Sequence, residues 1–528
     1  MCAAKIRDHY AVDFLHTITD MPRPTNFAPA MSDLYIYNSL SRSKEKFEPV
    51  TPGHVGLYVC GPTVNGESHL GHARPYVTFD VVLRWLRHLG YKVRYVRNIT
   101  DAGHFEENDR TDNDRIGEKA RLEKLEPMEL VHKYTSLFHR LMAAFNNLEP
   151  SIEPTATGHI VEQIAMIQKI MADGYAYEVN GSVYFDVKKY AESHDYGKLS
   201  GRKIDELLEN TRDLEGQDEK RNKVDFALWK AAPPQHIQRW QSPWGEGFPG
   251  WHIECSAMAS KYLGTTFDIH GGGMDLQFPH HESEIAQSTI AHGGHAPVRY
   301  WMHNNMITIN GRKMGRSYNN IIKLTELFSG EHELLEQAYN PMTVRFNILQ
   351  THYRSTLDFS NPALQASEKA LQRLWEAYEA IDSLMPSTQS SDGEAGKKVI
   401  DTCADFTEFM NDDFSTAKVI AGLFDLVPII NGHKAGLIPE GLSATSIELL
   451  KMHFKTFLED ILGLQSPQES QAGGHLDKVM DVLIDMRRAA RARKDFATSD
   501  AIRNQLTEAG IVLKDEKDGS VSWTLASA

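Results

Sequence analysis

A strand, helix, strand succession between residues 54 and 100 constrains the fold more than any other feature of the sequence. The apolar run HVGLYVC (54–60) predicts a buried strand, and VRYVRNIT (93–100) predicts a second one. Between them, four apolar residues recur at helical spacing and Gly90 ends the helix: Phe79, Val82, Leu86 and Leu89. We therefore predict an α/β fold with a parallel sheet and crossover helices. In such folds ligands bind at the carboxyl ends of strands, where Cys60 falls.

Length and composition exclude several classes of protein. At 528 residues, with 41% hydrophobic and 24% charged residues, the chain is a folded protein of several domains rather than one small binding module. Its net charge of -15 argues against non-specific coating of nucleic acid or membranes. No apolar run approaches about 18 residues, and the N-terminus lacks the apolar core of a secretory signal. We expect a cytoplasmic protein with no membrane contact.

The four cysteines form no CxxC pair and are too few for a disulfide framework. Any cysteine that matters for function is therefore expected to act as a thiol or as a metal ligand.

Hydrophobic periodicity divides the chain into units. Residues 1–30 are predicted to be a disordered N-terminal extension. Sheet-like runs in residues 31–150 resume in residues 242–324, so residues 151–241 are predicted to be an insertion between two halves of one sheet. Residues 325–465 predict a helical bundle. After the polar linker 466–474, residues 475–528 predict a small C-terminal α+β unit.

The first candidate motif is His69-Leu70-Gly71-His72, which follows a strand and a turn and precedes a helix. Two imidazoles beside a glycine suit the polyphosphate of a nucleotide, because glycine allows close approach and the helix dipole favours negative charge. Surface histidines in a turn are the alternative interpretation. The chain contains neither GxxxxGK[ST] nor GxGxxG, so these other phosphate-binding loops are excluded.

The second candidate motif is the flexible basic loop GRKMGRS (311–317), which follows the strand-like run ITI. Mobile cations such as Lys313 and Arg316 can close on a transferring phosphoryl group and stabilise its developing charge. A solvated basic turn is the alternative interpretation.

The third candidate is a metal site. Pro279 suits the first turn of a helix, so that His280 and Glu284, at i and i+4, would lie on one face. With Cys60 and Cys255 they would make a Cys2-His-Glu zinc set. The spacing alone leaves open whether the four residues converge, and a buried Cys255 serving only as a small hydrophobe is the alternative.

Six segments, in this order, resemble the signature series of cysteinyl-tRNA synthetase, a class I aminoacyl-tRNA synthetase: CGPTV, HLGH, RNITD, GWHIECSAM, FDIHGGGMDLQFPHHESEIAQ and KMGRS. The resemblance extends from Met31 to the C-terminus. It implies a Rossmann-like catalytic domain in two halves (31–150 and 242–324) around a connective insertion. It also implies that the bundle binds tRNA and that the C-terminal unit belongs to the anticodon region.

The resemblance implies roles for individual residues. The catalytic and ATP-binding positions, in the "HIGH" and "KMSKS" elements and the adenosine-binding turn, are His69, Gly71, His72, Gly271, Gly272, Gly273, Lys313 and Arg316. The positions around the amino-acid pocket are Thr63, Trp251 and His270. The zinc-ligand positions are Cys60, Cys255, His280 and Glu284. A basic cluster in the C-terminal unit is assigned to tRNA binding: Arg487, Arg488, Arg491, Arg493 and Lys494.

The chain departs from the family pattern at three positions. Gly315 and Arg316 stand where the family loop usually has Ser and Lys; Arg keeps the charge but offers a planar fork in place of a compact ammonium. Asn65 follows CGPTV where family members commonly carry Tyr, so we expect an altered edge of the substrate pocket without loss of activity.

The function implied is ATP-dependent ligation of L-cysteine to tRNA(Cys) through cysteinyl-adenylate, by a monomer with one Zn²⁺ per chain and Mg²⁺ accompanying ATP. One alternative is a ligase that joins cysteine to an amine of a small molecule with the same catalytic core; it would need no C-terminal unit. A second alternative is a non-enzymatic RNA-binding protein stabilised by zinc. Cysteine-dependent exchange of pyrophosphate into ATP, followed by charging of tRNA, would separate the three.

Overall fold

The computed structural model describes residues 33–103, 115–123, 125–204, 219–234, 236, 238–387, 393–466, 473–493, 495–509, 511–515 and 521–525. The predicted N-terminal extension, 1–30, lies outside these residues. The strands of the described chain are β1 Tyr35–Asn38, β2 Ser43–Lys46, β3 His54–Val59, β4 Lys92–Arg97, β5 Ala176–Val179, β6 Ser182–Phe185, β7 Phe226–Ala231, β8 Trp240–Ser242, β9 Gly245–Pro249, β10 Phe267–Gly273, β11 Val298–Asn304, β12 Ile307–Ile309, β13 Arg312–Lys313, β14 Leu357–Phe359, β15 Ile511–Asp515 and β16 Val521–Leu525.

The α-helices of the same residues are α1 Leu70–His88, α2 Arg115–Glu123, α3 Pro127–Ala144, α4 Ile160–Ala172, α5 Val187–Ala191, α6 Trp251–Leu263, α7 His280–Ala291, α8 Leu324–Ser329, α9 Pro341–Leu349, α10 Asn361–Ile381, α11 Glu394–Asn411, α12 Thr416–Lys434, α13 Ala444–His453, α14 Gly473–Ala492 and α15 Phe496–Glu508. A π-helical segment, Phe454–Ile461, directly continues α13.

A four-stranded parallel sheet, in the order β11-β10-β3-β4, confirms the predicted α/β fold. The pairing places Val59 beside Gly271 and Arg97 beside Val59, so the carboxyl ends of β3, β4 and β10 lie at one edge. The sheet's two central strands, β3 and β10, come from opposite sides of the insertion. The edge they share is therefore the point in the sheet where ligand crevices form in folds of this kind.

The insertion forms a sheet of its own, antiparallel in the order β5-β6-β7-β9-β8. This sheet extends to Pro249, so the predicted boundary at residue 241 cuts through it. At the other end, Ile152 bridges to Val96 of β4 and Thr155 bridges to Ile99 just after it, so the first residues of the predicted insertion still belong to the parallel sheet. The strands β8 and β9 are too short, with three and five residues, for their periodicity to show to which sheet they belong.

The helical region after residue 324 shares one apolar core with the parallel sheet and α1. A buried polar contact joins the two parts: Arg345 of α9, 0% exposed, donates to Asp80 of α1 at 2.5 Å. Arg345 also donates to the carbonyl oxygens of Leu462 at 2.7 Å and Phe145 at 2.8 Å. The guanidinium of Arg345 therefore joins α1 to Leu462, near the last residue of the bundle.

The C-terminal unit packs two helices against the hairpin β15–β16 around its own small core. Within this unit the sequence predicts a second helix that closes at Gly510 and strands on either side of Asp518-Gly519; these three residues lie outside the described chain. No helix of the described chain is both long enough and apolar enough to cross a membrane.

Candidate active site and metal centre

Four side chains converge at the shared edge of β3 and β10. Cys60 directly follows β3, Cys255 lies on α6, and His280 and Glu284 lie one turn apart on α7. One donor atom from each residue lies within 4.8 Å of the others. Cys60 is partly exposed and the other three are buried. The structure thus brings together the four residues predicted as metal ligands, although the chain separates the first from the last by more than two hundred residues.

The hydrogen bonds around the cluster orient its imidazole. Nε2 of His280 lies 3.1 Å from a carboxylate oxygen of Glu284, while Nδ1 of His280 lies 2.9 Å from Nδ1 of His252. Gln287 donates to the carbonyl of His252 at 2.5 Å. His280 is therefore held through Nδ1, with Nε2 turned towards the other donors, as is usual for a metal-ligating histidine.

Electrostatics favour a cation at the centre of this cluster. The hydrogen bond from Cys60 lowers the pKa of Cys255 to about 7. Burial raises the pKa of Glu284, but His270 and His280 outweigh it and bring that pKa down to about 2. Burial lowers the pKa of His280, yet the Cys255 and Glu284 charges raise it to about 10. The Cys255 thiol and the Glu284 carboxylate thus face one buried point at which His280 holds the balancing proton, and a divalent metal could take the place of that proton.

Sequence reasoning missed His281 and His303. Nε2 of His281 lies 3.3 Å from the Cys60 sulfur, and its Nδ1 lies 2.8 Å from Nε2 of His303 at the end of β11. His281 also belongs to a second possible donor set, with Cys60, His270 and Glu284. The doublet His280-His281 at the start of a helix was the available signal, because both residues lie in its first turn.

The residues predicted to surround the amino acid lie next to the cluster, with different exposures. The ring of Trp251 lies 4.2 Å, centroid to centroid, from that of His280. His270 is buried, stacks on Trp301 at 4.6 Å and contacts Glu284 at 3.1 Å. Thr63 is exposed and its backbone bridges to that of Thr100. The predicted residues therefore include one buried imidazole stacked on an aromatic ring and one exposed polar side chain.

The HLGH motif caps α1. Nδ1 of His69 accepts the Gly71 N–H at 3.1 Å, and Nδ1 of His72 accepts the His69 N–H at 3.2 Å. Both imidazoles must therefore carry their proton on Nε2. The two rings stack at 3.8 Å. Burial, with a smaller contribution from His69, lowers the pKa of His72 to about 3, so His72 offers a neutral N–H donor rather than a charge.

The basic segment 311–317, predicted as a flexible loop, begins in a hairpin turn at Gly311 and continues as the two-residue strand β13. Lys313 pairs with Thr308 across the turn Asn310-Gly311, whose φ angles are 49° and 74°. Two positive φ angles are typical of the tight hairpin turns for which Asn-Gly is the strongest sequence signal. The dipeptide therefore predicts this turn, one residue before the predicted loop 311–317.

The hairpin and the HLGH motif are neighbours. A Cβ atom on Gly71 would lie 2.6 Å from Cε of Met314. The side-chain oxygen of Asn320 accepts the Gly315 N–H at 2.9 Å, and its nitrogen donates to the Lys313 carbonyl at 3.1 Å, which closes the segment on itself. Lys313 is exposed; the side chain of Arg316 lies outside the described residues.

The three glycines at the end of β10 differ in their burial and in which atoms surround them. A Cβ on Gly271 would lie 2.3 Å from the Phe79 ring of α1, and one on Gly272 would lie 2.9 Å from Cδ1 of Leu276. Both are buried, whereas Gly273 is partly exposed. Close packing of α1 on the sheet therefore accounts for Gly271 independently of any nucleotide.

The basic cluster of the C-terminal unit is divided between two faces of α14. Arg487 is 2% exposed, on the same face as the buried Met480 and Ile484, whereas Arg488, Arg491 and Arg493 are exposed. Lys494 lies outside the described residues. Next to the cluster, the ring of Phe496 is 61% exposed. The described surface therefore offers three arginines and one aromatic ring, not five cations.

Comparison with known proteins identifies three matching domain models. A model of the class I (C) tRNA synthetase catalytic domain matches residues 46–369. The DALR domain model matches residues 405–466, and a model of the cysteinyl-tRNA ligase anticodon binding domain matches residues 474–522.

Curated relatives are similar to this chain over nearly its whole length. The cysteine–tRNA ligase of Bacteroides thetaiotaomicron is 58% identical over 494 residues, which cover 93% of this chain and 99% of the relative. That of Porphyromonas gingivalis is 57% identical over 497 residues, with the same coverage. Among solved structures, Mycobacterium tuberculosis methionyl-tRNA synthetase bound by methionyl-adenylate has a TM-score of 0.55 at 12% identity, covering 79% of this chain and 96% of that chain. At that identity the likeness shows the fold alone.

Proposed function

Because the chain belongs to the cysteine–tRNA ligase family of class I aminoacyl-tRNA synthetases, we propose that its cysteine and ATP meet at the edge of β3 and β10. The enzyme uses ATP to ligate L-cysteine to tRNA(Cys): the carboxyl group is activated as cysteinyl-adenylate and is then transferred to the 3′-terminal adenosine. The convergence of the four donor residues from β3, α6 and α7 is the observation that supports this location. Aminoacylation of unfractionated tRNA with each amino acid in turn tests it, and cysteine alone is expected to be charged.

Zinc is the metal that we propose for the cluster, one ion per chain. Two thiols, an imidazole and a carboxylate are a donor set that zinc accepts, and the lowered pKa of Cys255 provides one of the sulfurs as thiolate. When bound, zinc would supply a ligand position that favours the deprotonated form of a substrate thiol, below its ordinary pKa of roughly 8.5, whereas a hydroxyl would be a far poorer ligand. The residues of the chain hold and surround that position: His252 orients His280, and Trp251 covers its ring.

For adenylate formation we propose that the chain acts through positioning and charge rather than through a covalent nucleophile. The Nε2–H groups of His69 and His72, at the N-terminus of α1, donate to the phosphates of ATP. Lys313 and Arg316 neutralise the charge that develops as pyrophosphate leaves, with Mg²⁺ accompanying the nucleotide. Gly273, as the partly exposed glycine of its turn, is the one best placed to approach the adenosine.

Replacing Lys313 with alanine is expected to slow adenylate formation by more than about 2 kcal/mol in barrier, roughly 30-fold, with little change in cysteine affinity. The reason is that a preorganised charge acting only in the transition state is lost. Pre-steady-state pyrophosphate release measures the rate. Arg312→Ala is the matched control, since it removes the adjacent cation of the same exposed strand, and side chains of adjacent strand residues point to opposite faces. An unchanged rate in Lys313→Ala would contradict the assignment.

The bundle and the C-terminal unit are proposed to hold the tRNA along its length. Arg488, Arg491 and Arg493 supply phosphate contacts, and the exposed ring of Phe496 offers a surface on which a base can stack. Arg487, being buried, is expected to support the helix rather than to contact RNA. The division of the chain into these functional units, and action as a monomer, are parts of the same proposal.

Deleting residues 475–528 is expected to leave cysteine-dependent ATP–pyrophosphate exchange nearly intact and to weaken tRNA charging. The unit has its own core, so its removal exposes little of the remaining protein. The two assays on one preparation measure the separation, and equal loss of both activities would show that the unit is needed for the fold. Phe496→Ala in the full chain, with exchange as its control, separates base stacking from charge.

A ligase that joins cysteine to a small-molecule amine is not favoured. Such an enzyme would have no use for a domain that matches the anticodon binding model at residues 474–522.

A further inference from the structure

Arg74 is a buried cation without an acidic partner among the described residues. It lies in the second turn of α1, five residues after His69, and is 0% exposed. A carboxylate would be the expected partner of Arg74, because burying an unpaired guanidinium is costly. Every acceptor found around it is instead a backbone carbonyl. A charge kept inside a protein at such a cost usually has a role beyond stability.

The acceptors of Arg74 belong to two separate segments. Nη1 donates to the carbonyls of Asn305 at 2.9 Å and Met306 at 2.7 Å. Nη2 donates to the carbonyl of Ser355 and, at 3.4 Å, to that of His352. The planar fork of the guanidinium therefore joins α1 to two stretches of backbone at once, which a lysine ammonium is poorly shaped to do.

These two segments lie just before β12 and β14, the strands next to the KMGRS segment. Residues 305–306 lead directly into β12, and residues 352–355 lead into β14, which pairs with β12 in parallel. At the far end of β12, Asp358 of β14 accepts the hydroxyl of Thr308 at 2.6 Å and the Gly311 N–H at 2.7 Å, which fixes the hairpin turn. Arg74 and Asp358 thus hold the base and the turn of one small sheet, β13-β12-β14.

We infer that Arg74 is a positioning residue for adenylate formation: it fixes the base of the KMGRS hairpin relative to the helix that carries His69 and His72. Backbone hydrogen bonds already join the start of α1 to the residues that follow KMGRS, from Leu70 to Ile322 at 3.0 Å and from Leu324 to Ser68 at 2.9 Å. Arg74 adds the link to the other side, the strands from which the hairpin projects. Its positive charge, unneutralised by any described carboxylate, adds to the dipole of α1 and favours the triphosphate at the same end of the helix. The inference rests on the proposed role of Lys313, because a hairpin that contributes nothing needs no positioning.

The decisive experiment is a double-mutant cycle between Arg74→Lys and Lys313→Ala, read by pre-steady-state adenylate formation in the full chain. Arg74→Lys keeps the charge but cannot join both segments, so we expect the rate to fall at least about tenfold, with KM for cysteine within about twofold. In the Lys313→Ala background the same change is expected to cost less than about twofold, because the group being positioned is already absent.

Arg345→Lys is the matched control. Arg345 is a second fully buried arginine that donates to backbone carbonyls, those of Leu462 and Phe145. Its effect on the rate is expected to be the same in both backgrounds. Equal losses for Arg74→Lys in both backgrounds would overturn the inference and leave Arg74 a purely structural residue. A Lys313→Ala rate equal to that of the unmodified enzyme would instead overturn the proposed role of Lys313, and the inference with it.

A third variant keeps the inference testable if Arg74→Lys does not fold. Asp358 is exposed, so Asp358→Ala loosens only the turn of the same sheet. It is expected to slow adenylate formation and to lose most of that effect in the Lys313→Ala background. Additive effects here would contradict the positioning of the hairpin by its supporting sheet, and with it the role of Arg74.

Discussion

In the cobalt-substituted enzyme, adding cysteine is expected to add a charge-transfer contribution from the substrate sulfur to the one that Cys60 and Cys255 already give, with a change in the visible spectrum, and adding serine is expected to leave the spectrum unchanged. Cysteine and serine differ by sulfur for oxygen, and shape differences of this size distinguish substrates only about 10 to 200-fold. Direct ligation of the sulfur gives a larger difference because a thiolate is a far better ligand for these metals than a hydroxyl. Editing would then be unnecessary.

The same site gives a mutational test. Cys255→Ser is expected to lower bound zinc to well below one ion per chain and cysteine-dependent exchange by more than about 100-fold, since even residues that only support metal ligands cost 10 to 100-fold. Cys403→Ser is the matched control: it makes the same change at a buried cysteine of α11, outside the cluster. Retained zinc with an unchanged cobalt spectrum on adding cysteine would mean that the metal is structural. Specificity would then depend on Trp251, His270 and their neighbours.

Four protein ligands usually mark a closed structural site, so the substrate sulfur must add a fifth ligand or displace a weak one. Glu284 is the residue to test, because its second oxygen already has a partner in His270, at 3.1 Å. Glu284→Gln is expected to retain more zinc than Cys255→Ser and to alter the cobalt spectrum before cysteine is added. A spectrum that Glu284→Gln leaves unchanged would exclude this residue as a ligand.

Replacing Arg345 with methionine is expected to destabilise the protein by about 3–5 kcal/mol, because Asp80 is left as a buried charge without its closest partner. The carbonyls of Leu462 and Phe145 also lose their donor. The urea midpoint measures the loss, followed in the chain lacking residues 475–528 so that a second folding unit does not complicate the transition. Combining Arg345→Met with Asp80→Asn is expected to cost clearly less than the sum of the single changes. Strict additivity would show that the pair does not act as a unit.

The local elements could be predicted from the sequence, because their signals are local. Strand β3, helix α1 and strand β4 follow from apolar spacing and from Gly90, whose φ of 89° is the conformation that ends the helix. The convergence of Cys60 with Glu284 could not be derived from spacing, because no local pattern relates residues on β3 and α7. Only the family resemblance pointed to it.

For two predictions the sequence also holds a local signal of the observed structure. Arg487, grouped with the cations assigned to RNA, follows Met480 by seven residues and Ile484 by three, which places it on the apolar face of α14. The predicted loop 311–317 is preceded by Asn310, and the dipeptide Asn310-Gly311 favours a hairpin turn. Arg74 had no such signal, since nothing local distinguishes a buried arginine that binds carbonyls from an exposed one on a helix.

The packing of Phe79 on Gly271 has a consequence for compounds designed to bind this enzyme. No methyl group fits between α1 and the end of β10, since a Cβ there would lie 2.3 Å from the ring. At the ATP site proposed above, helix α1, which carries His69 and His72, is therefore expected to stay in place when a bulkier molecule binds. The other side of that proposed site is the hairpin β12–β13, whose strands are three and two residues long and whose tip is exposed. An inhibitor larger than the adenylate should be extended towards the hairpin tip, where the protein can yield, and kept flat against α1, where it cannot.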